Sequence, residues 1–187
     1  LPIPKWVFIE HAVRRHGMLV HGSADPGIAI FTPRRANDNL TGGDQPRVYA
    51  ASSGVLAGFY AIVDRPRLDA LPVIPALINL YYPGPGNHPD RFLFALDWRA
   101  LAYAPWRRGT VYLLDRETFT ADHGGEQWYS PTPVVPRMSL SFGPADWPLL
   151  GAVRGADVLA FLRRSARSLD GWPWWPDPSI YPGAASG

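Results

Sequence analysis

Proline and glycine recur twenty-one and eighteen times along this sequence, scattered between short apolar runs and never gathered into one low-complexity block. Proline removes a backbone donor and fixes φ, and glycine admits turns that other residues resist, so each one punctuates the chain. Long helices should therefore be few. The core must come from many short elements joined by loops, and 187 residues are enough for one self-sufficient core. We accordingly expect a single domain over residues 1–187. A hydrophobic share of 47% with 18% charged residues suits a packed interior and excludes a disordered or coiled-coil chain. The absence of cysteine excludes disulfides, a thiolate nucleophile and cysteine-ligated zinc.

Charge narrows the partners. A formal net charge of +2 does not suggest a nucleic-acid binder, although the pairs Arg14/Arg15, Arg34/Arg35, Arg107/Arg108 and Arg163/Arg164 leave room for local basic patches. Taken singly, each pair reads as solvated surface. No apolar run reaches the roughly 18 residues of a membrane span, and no signal peptide opens the chain, which reads as soluble. The start at Leu1 leads us to expect a longer parent polypeptide. The location stays open between a cytoplasmic protein and a delivered effector domain.

Along the chain, residues 1–16 fit a short helix and an extended strand equally well. Met18 to Val20 reads as a buried strand ending in His21-Gly22-Ser23, ahead of the turn Asp25-Pro26-Gly27. Residues 33–46 hold one large apolar residue, Leu40, and read as a mobile loop. Arg47 to Ala51 is a strand, and Gly54 to Val63 has helical spacing. Val73 to Tyr82 suits a strand or a short helix, ended by Pro83-Gly84-Pro85-Gly86-Asn87. Arg91 to Leu96, Thr110 to Leu114 and Gln127 to Val135 read as strands. Val153 to Leu169 has the spacing of an amphipathic helix, and the Trp- and Pro-rich tail to residue 187 reads as a cover for an apolar patch.

Three segments stand out together: LVHGS at 19–23, VYAASSGVLAGFYAI at 48–62 and GGEQWYSPTPVVP at 124–136. In order, they supply His-Gly-Ser at a strand end, two tyrosines eleven positions apart (Tyr49 and Tyr60), and a glutamate, Glu126, opening a later strand. This pattern resembles the ADP-ribosyltransferase superfamily, and more closely its His-Tyr-Glu branch of diphtheria-toxin-like enzymes and poly(ADP-ribose) polymerases. The resemblance covers about residues 18–136. Ala57 stands where the polymerases keep a nicotinamide-binding serine, which places the chain nearer the diphtheria-like enzymes.

The resemblance implies an α+β fold with two small antiparallel sheets packed around an NAD cleft and flanking helices. It implies transfer of ADP-ribose from NAD to an acceptor with release of nicotinamide. Cleavage at the nicotinamide ribose passes through a cation-like sugar, which a fixed carboxylate stabilises as the charge develops. Glu126 takes that part. Tyr49 and Tyr60 sandwich the flat nicotinamide ring, His21 hydrogen-bonds a ribose hydroxyl, Gly22 lets the backbone approach, and Ser23 adds a polar contact. Arg34, with Arg35 beside it, lies where a cation pairs with the NAD pyrophosphate. The catalytic set is thus Glu126, His21 and Tyr60, and the NAD-binding set is His21, Gly22, Ser23, Tyr49, Tyr60 and Arg34.

Each residue also has an ordinary reading. His21 alone is a strand-end histidine bonded to a nearby carbonyl, the two tyrosines are core residues, and Glu126 is a turn residue beside Gly124-Gly125. The ordered triple outweighs these. Glu10 precedes the first motif and Glu117 lacks an adjoining strand, so neither competes with Glu126. The five histidines show no metal-ligand spacing, the glycine-rich stretches match no phosphate loop, and Ser52 and Ser53 lack a nucleophile elbow. We expect NAD as co-substrate, no metal and no membrane. The acceptor is open among protein, nucleic acid and small molecule. A bacterial toxin or effector is preferred, with an antitoxin, an immunity protein or the larger parent chain as partner. The alternatives are NAD glycohydrolysis, NAD-dependent RNA 2′-phosphotransfer, and a non-catalytic binding domain on the same scaffold.

Overall fold

The computed structural model describes residues 3–35, 45–70, 77–82, 91–122 and 127–156. In chain order they form α1 (Lys5–His16), β1 (Leu19–Ser23), β2 (Val48–Ala51), α2 (Gly54–Ile62), α3 (Arg65–Asp69), β3 (Leu77–Tyr82), β4 (Arg91–Asp97), α4 (Trp98–Ala102), β5 (Gly109–Leu114), β6 (Thr120–Ala121), β7 (Gln127–Ser130), β8 (Met138–Phe142) and β9 (Arg154–Ala156). The protein is α+β with mostly antiparallel pairing. No described helix is long and apolar enough to cross a membrane. Two compact units emerge: Leu1–Val63 with Trp106–Pro148, and Asp64–Pro105 with Leu149–Gly187.

The first unit is a six-stranded sheet in the order β6-β7-β2-β1-β5-β8. Every neighbouring pair in it is antiparallel. Alternation along the strands gives the sheet two faces. Leu19, Val48, Ala50, Tyr112, Leu114 and Trp128 join Phe31, Phe119 and Val134 in a buried cluster on one face. The other face receives α2, an apolar helix buried along its length except at Tyr60. Contact there is made through glycine. A Cβ on Gly22 would stand 1.9 Å from the Ala57 carbonyl oxygen, and one on Gly109 would stand 2.0 Å from that of Ala61. The helix backbone therefore rests directly on β1 and β5.

The start of α2 is held by two side chains. Ser53 Oγ accepts from the Leu56 amide at 3.3 Å, and the buried Glu10 of α1 accepts from the Val55 amide at 3.0 Å. These bonds satisfy donors that a helix N-terminus leaves open. Arg14, one turn along α1, donates to the second Glu10 oxygen at 3.2 Å. Trp147 Nε1 donates to the Val55 carbonyl at 2.9 Å, and its ring lies 5.3 Å from that of Phe59. Helix α1 ends at Gly17, whose φ of +63° is the left-handed cap that glycine adopts without penalty.

In the second unit β3 and β4 form an antiparallel hairpin, and β9 runs parallel to β4 on its other side. The buried Asp97 caps α4 by accepting the Arg99 amide at 2.9 Å and forks to the Arg99 guanidinium at 2.8 Å through each oxygen. The Arg99 hydrogen bonds hold its carboxyl below the usual range, against the opposing push of burial.

Most expected elements are present, and the departures have identifiable causes. The 1–16 segment is helical from Lys5, and the 73–82 segment is a strand from Leu77. The strand expected over 127–135 stops at Ser130, because Pro131 and Pro133 cannot donate to a ladder, and the chain re-pairs only where Val134 meets Phe31. The helix expected from Val153 does not begin there: Arg154–Ala156 instead extend the β4 ladder. Residues 157–169 of that helix, the tail, residues 36–44 of the expected loop, 73–76 and the 83–87 turn lie outside the described residues.

The glycine contacts carry a prediction. Gly22→Ala and Gly109→Ala should each cost about 1–3 kcal/mol, since the clashing atoms are backbone and cannot step aside. Gly151→Ala, with nothing within 4 Å of the added carbon, is the control and should be near neutral. Equilibrium urea unfolding measures this, and a Gly22→Ala protein as stable as Gly151→Ala would overturn it.

Candidate active site

The cleft begins where β1 and β2 part. These two central strands share a single rung, Val20 opposite Ala51. One residue further along β1, a side chain takes over from the backbone: His21 Nδ1 lies 2.7 Å from the Tyr49 carbonyl oxygen. A carbonyl only accepts, so Nδ1 carries the proton, and Nε2 of the neutral ring is left as an acceptor. Burial pushes the imidazole pKa down, and the bond to Tyr49 opposes this more weakly. The ring is further fixed by Phe31, whose centroid lies 4.8 Å away.

The segment after β1 is pinned at several points. Asp25 Oδ1 accepts the Gly27 amide at 2.8 Å, and Ser23 Oγ accepts the Asp25 amide at 3.1 Å, closing a tight turn. The buried Tyr112 hydroxyl donates to the Asp25 carbonyl at 2.7 Å and accepts from the Ile28 amide at 3.0 Å. Phe31 and Val134 then exchange backbone hydrogen bonds at 2.8 and 2.9 Å, as do Arg34 and Arg47 at 3.0 Å each. A chain so tied forms a wall over the His21 side of the sheet.

Between wall and sheet lies a cleft of about 290 Å³. His21, Ser23 and Tyr49 line it with Arg34, Arg35 and Arg47, and among the described residues Asp25 is the one carboxylate in the lining. None of the three arginines forms an ion pair with a described carboxylate. The Arg47 guanidinium sits 4.0 Å from the Tyr129 ring centroid, a cation–π contact.

The residues singled out from the sequence are thus distributed unevenly. His21, Ser23, Tyr49 and Arg34 meet in the cleft. Gly22 is the close-packing point for α2, and Ser23 Oγ is partly committed to the turn. Tyr49 pairs with Tyr129, which puts its ring on the α2 face, so its carbonyl is the group that meets His21. Tyr60 is half-buried on α2 with its ring 5.9 Å from Phe59, and it does not line the cleft. Glu126 lies outside the described residues, immediately before β7. Glu10 is occupied by the α2 amide and Arg14.

Sequence reasoning missed Arg47, Phe31 and Asp25. Arg47 had one available signal, since it precedes Tyr49 by two positions and therefore shares its side of the strand. Phe31 had none, because its place depends on a rung with residue 134. Among the described residues no three His, Asp or Glu side chains cluster as a metal site.

The lowered His21 pKa fixes a pH dependence. The folded ring takes its proton at a lower pH than the ordinary value of 6.5, so the unfolded chain binds more protons as pH falls below 6.5. Stability contributed by neutral His21 is full above that value and declines as pH falls through the folded pKa. Urea midpoints of wild type should drop on this acid side, and those of His21→Gln should drop less. Equal slopes for the two proteins would show that His21 is not responsible.

Compared with known proteins, the chain matches no family model, no curated protein and no solved structure.

Proposed function

We propose that the protein transfers ADP-ribose from NAD to an acceptor on an ADP-ribosyltransferase-like fold, releasing nicotinamide. One observation carries the reading: β1 and β2 part at His21-Gly22-Ser23 and Tyr49, the first two motif elements, and the opening leads into an arginine-lined cleft. The donor groups fit such a substrate. His21 Nε2 is an acceptor suited to a sugar hydroxyl, and arginines that form no ion pair with a described carboxylate suit a diphosphate. Tyr49 stands on β2 and Tyr60 on α2, and under this reading their rings would meet the flat nicotinamide.

NAD supplies the ADP-ribosyl group, with nicotinamide as leaving group. The protein's share is to bind, orient and stabilise charge. His21 would hold a ribose hydroxyl, its own position set by the Tyr49 carbonyl and the Phe31 ring. Glu126, the residue before Gln127 in the sequence, would stabilise the sugar cation, the part the resemblance gives it. The acceptor is the open variable, and a toxin or effector role remains part of the proposal. A second reading, NAD-dependent removal of a 2′-phosphate from RNA, draws support from the same arginines, which give the cleft a local positive charge that the net +2 of the chain conceals.

Incubation with NAD should release nicotinamide, quantified by chromatography. Glu126→Ala should lower the rate about 100-fold or more, the scale of losing a transition-state contact. Tyr60→Ala should mainly raise KM. No release and no NAD binding by the wild type would end the proposal. Labelled NAD with protein, DNA and RNA extracts then identifies the acceptor, and a 2′-phosphorylated oligonucleotide tests the second reading.

A further inference from the structure

Asp25-Pro26-Gly27-Ile28 has the residues of a β-turn, with proline in second place and glycine in third. Such a turn commonly closes when its first carbonyl accepts from its fourth amide. Here both groups go to one side-chain atom instead. The Tyr112 hydroxyl donates to the Asp25 carbonyl at 2.7 Å and accepts from the Ile28 amide at 3.0 Å. A residue of β5 thus stands where a bond within the turn is expected.

The other hydrogen bonds of this segment are local, Ser23 Oγ to the Asp25 amide and Asp25 Oδ1 to the Gly27 amide. Among the described residues, the two bonds to Tyr112 are what tie 25–28 across to a second strand. Asp25 is exposed and Ile28 half-buried, whereas Tyr112 is buried. A buried hydroxyl is costly to leave unpaired, so the core tyrosine and the surface segment hold one another. Register decides where this hold acts. Tyr112 is directly opposite His21 in the β1–β5 ladder, and the two side chains leave the sheet on the same face. Phe31 touches both: its ring stands edge-on to Tyr112 at 5.1 Å and lies 4.8 Å from His21.

We propose that Tyr112 is a positioning residue for the cleft, its hydroxyl holding the 25–28 segment off its own turn bond and thereby keeping Phe31 against the His21 ring. Asp25, Ile28 and Phe31 all line the cleft, so one buried hydroxyl places a wall and the group the wall faces. Without the hydroxyl, the Asp25 carbonyl and the Ile28 amide can bond each other or water, and the wall loses its tie to β5. The consequence for NAD rests on the dinucleotide reading of the cleft. The consequence for His21 does not.

Tyr112→Phe keeps the ring and removes the oxygen alone, and a thermal midpoint close to that of wild type establishes that it is folded. Amide hydrogen exchange followed by NMR should quicken about tenfold or more at Ile28 and Phe31, while the amides that bond β1 to β5 keep wild-type rates. The imidazole 15N signals of His21, identified by their loss in His21→Gln, should report the single Nδ1–H tautomer in neutral wild type and a mixture of tautomers in Tyr112→Phe. In nicotinamide release, KM for NAD should rise severalfold with kcat nearly unchanged, because the loosened groups bind and do not react. Unchanged exchange at Ile28, or an unchanged His21 signal, overturns the proposal. Exchange that quickens equally along the whole β1–β5 ladder overturns it too, since it marks Tyr112 as a general prop of the sheet. Unchanged KM beside altered His21 signals overturns the part played in binding NAD. Altered exchange and His21 signals in a protein whose wild type neither binds nor cleaves NAD support the positioning role and overturn the dinucleotide reading instead.

Discussion

The missing side chain at Gly22 is the constraint from which the first unit follows. An α-helix and a sheet usually meet through interlocking side chains, yet here the backbone of α2 approaches β1 and β5 so closely that a methyl group would overlap a carbonyl. Gly22 stands between His21 and Ser23, so the position that seats the helix also decides how the two cleft residues leave the strand. Strand alternation does the rest. Gly22 faces α2, and His21 must face the other way, towards Phe31 and Tyr112. A seat for the helix and an orientation for the imidazole are one geometric fact.

That close seat requires a helix that does not shift. The α2 start is held by Glu10 from α1 and by Ser53 from its own N-cap, while Trp147 grips the Val55 carbonyl. Each such hydrogen bond contributes about 1 kcal/mol net, but leaving a buried partner unpaired costs more, about 1–3 kcal/mol. Glu10 is therefore bound to a structural task by desolvation: withdrawing it would strand its carboxylate among buried neighbours, Ile9 and Gly54. This gives a physical reason why one of the three glutamates is unsuited to chemistry, where motif order alone had argued it only from position.

How much of this was legible in the sequence depended on the range of the interaction that decides each element. β1 and α2 are written in their own residues, as an apolar run and an apolar 3.6-residue repeat, and both were readable. The Gly22 notch was readable as a glycine but not as a helix seat, because its partner atoms belong to Ala57 and Ala61. β8 was invisible: Met138, Ser139 and Ser141 are exposed on the sheet edge, so the strand carries little apolar pattern and exists through its pairing with β5. β9 overrode a helical spacing because the β4 edge offered backbone partners to Arg154–Ala156. In the site, His21 and Tyr49 were legible as motif residues, whereas their direct bond, and the wall held by Tyr112 and Phe31, needed contacts across tens of residues.

The bond between His21 and Tyr49 divides the work of the cleft. A histidine among arginines is usually considered as one more cation, yet burial pushes this ring towards its neutral form, and the Tyr49 carbonyl, which opposes that push more weakly, fixes the tautomer. Its free nitrogen can then only accept, which makes it useless to a phosphate oxygen and well suited to a hydroxyl. The arginines have the opposite character, since a guanidinium only donates. A ligand that satisfies both must present anionic oxygens as well as a hydroxyl hydrogen, as a sugar joined to a diphosphate does. Inorganic anions would leave His21 unpartnered, and neutral sugars would leave the arginines facing one another across their rung. Among the described residues the cleft therefore presents two complementary chemistries, an acceptor at His21 and donors at the arginines.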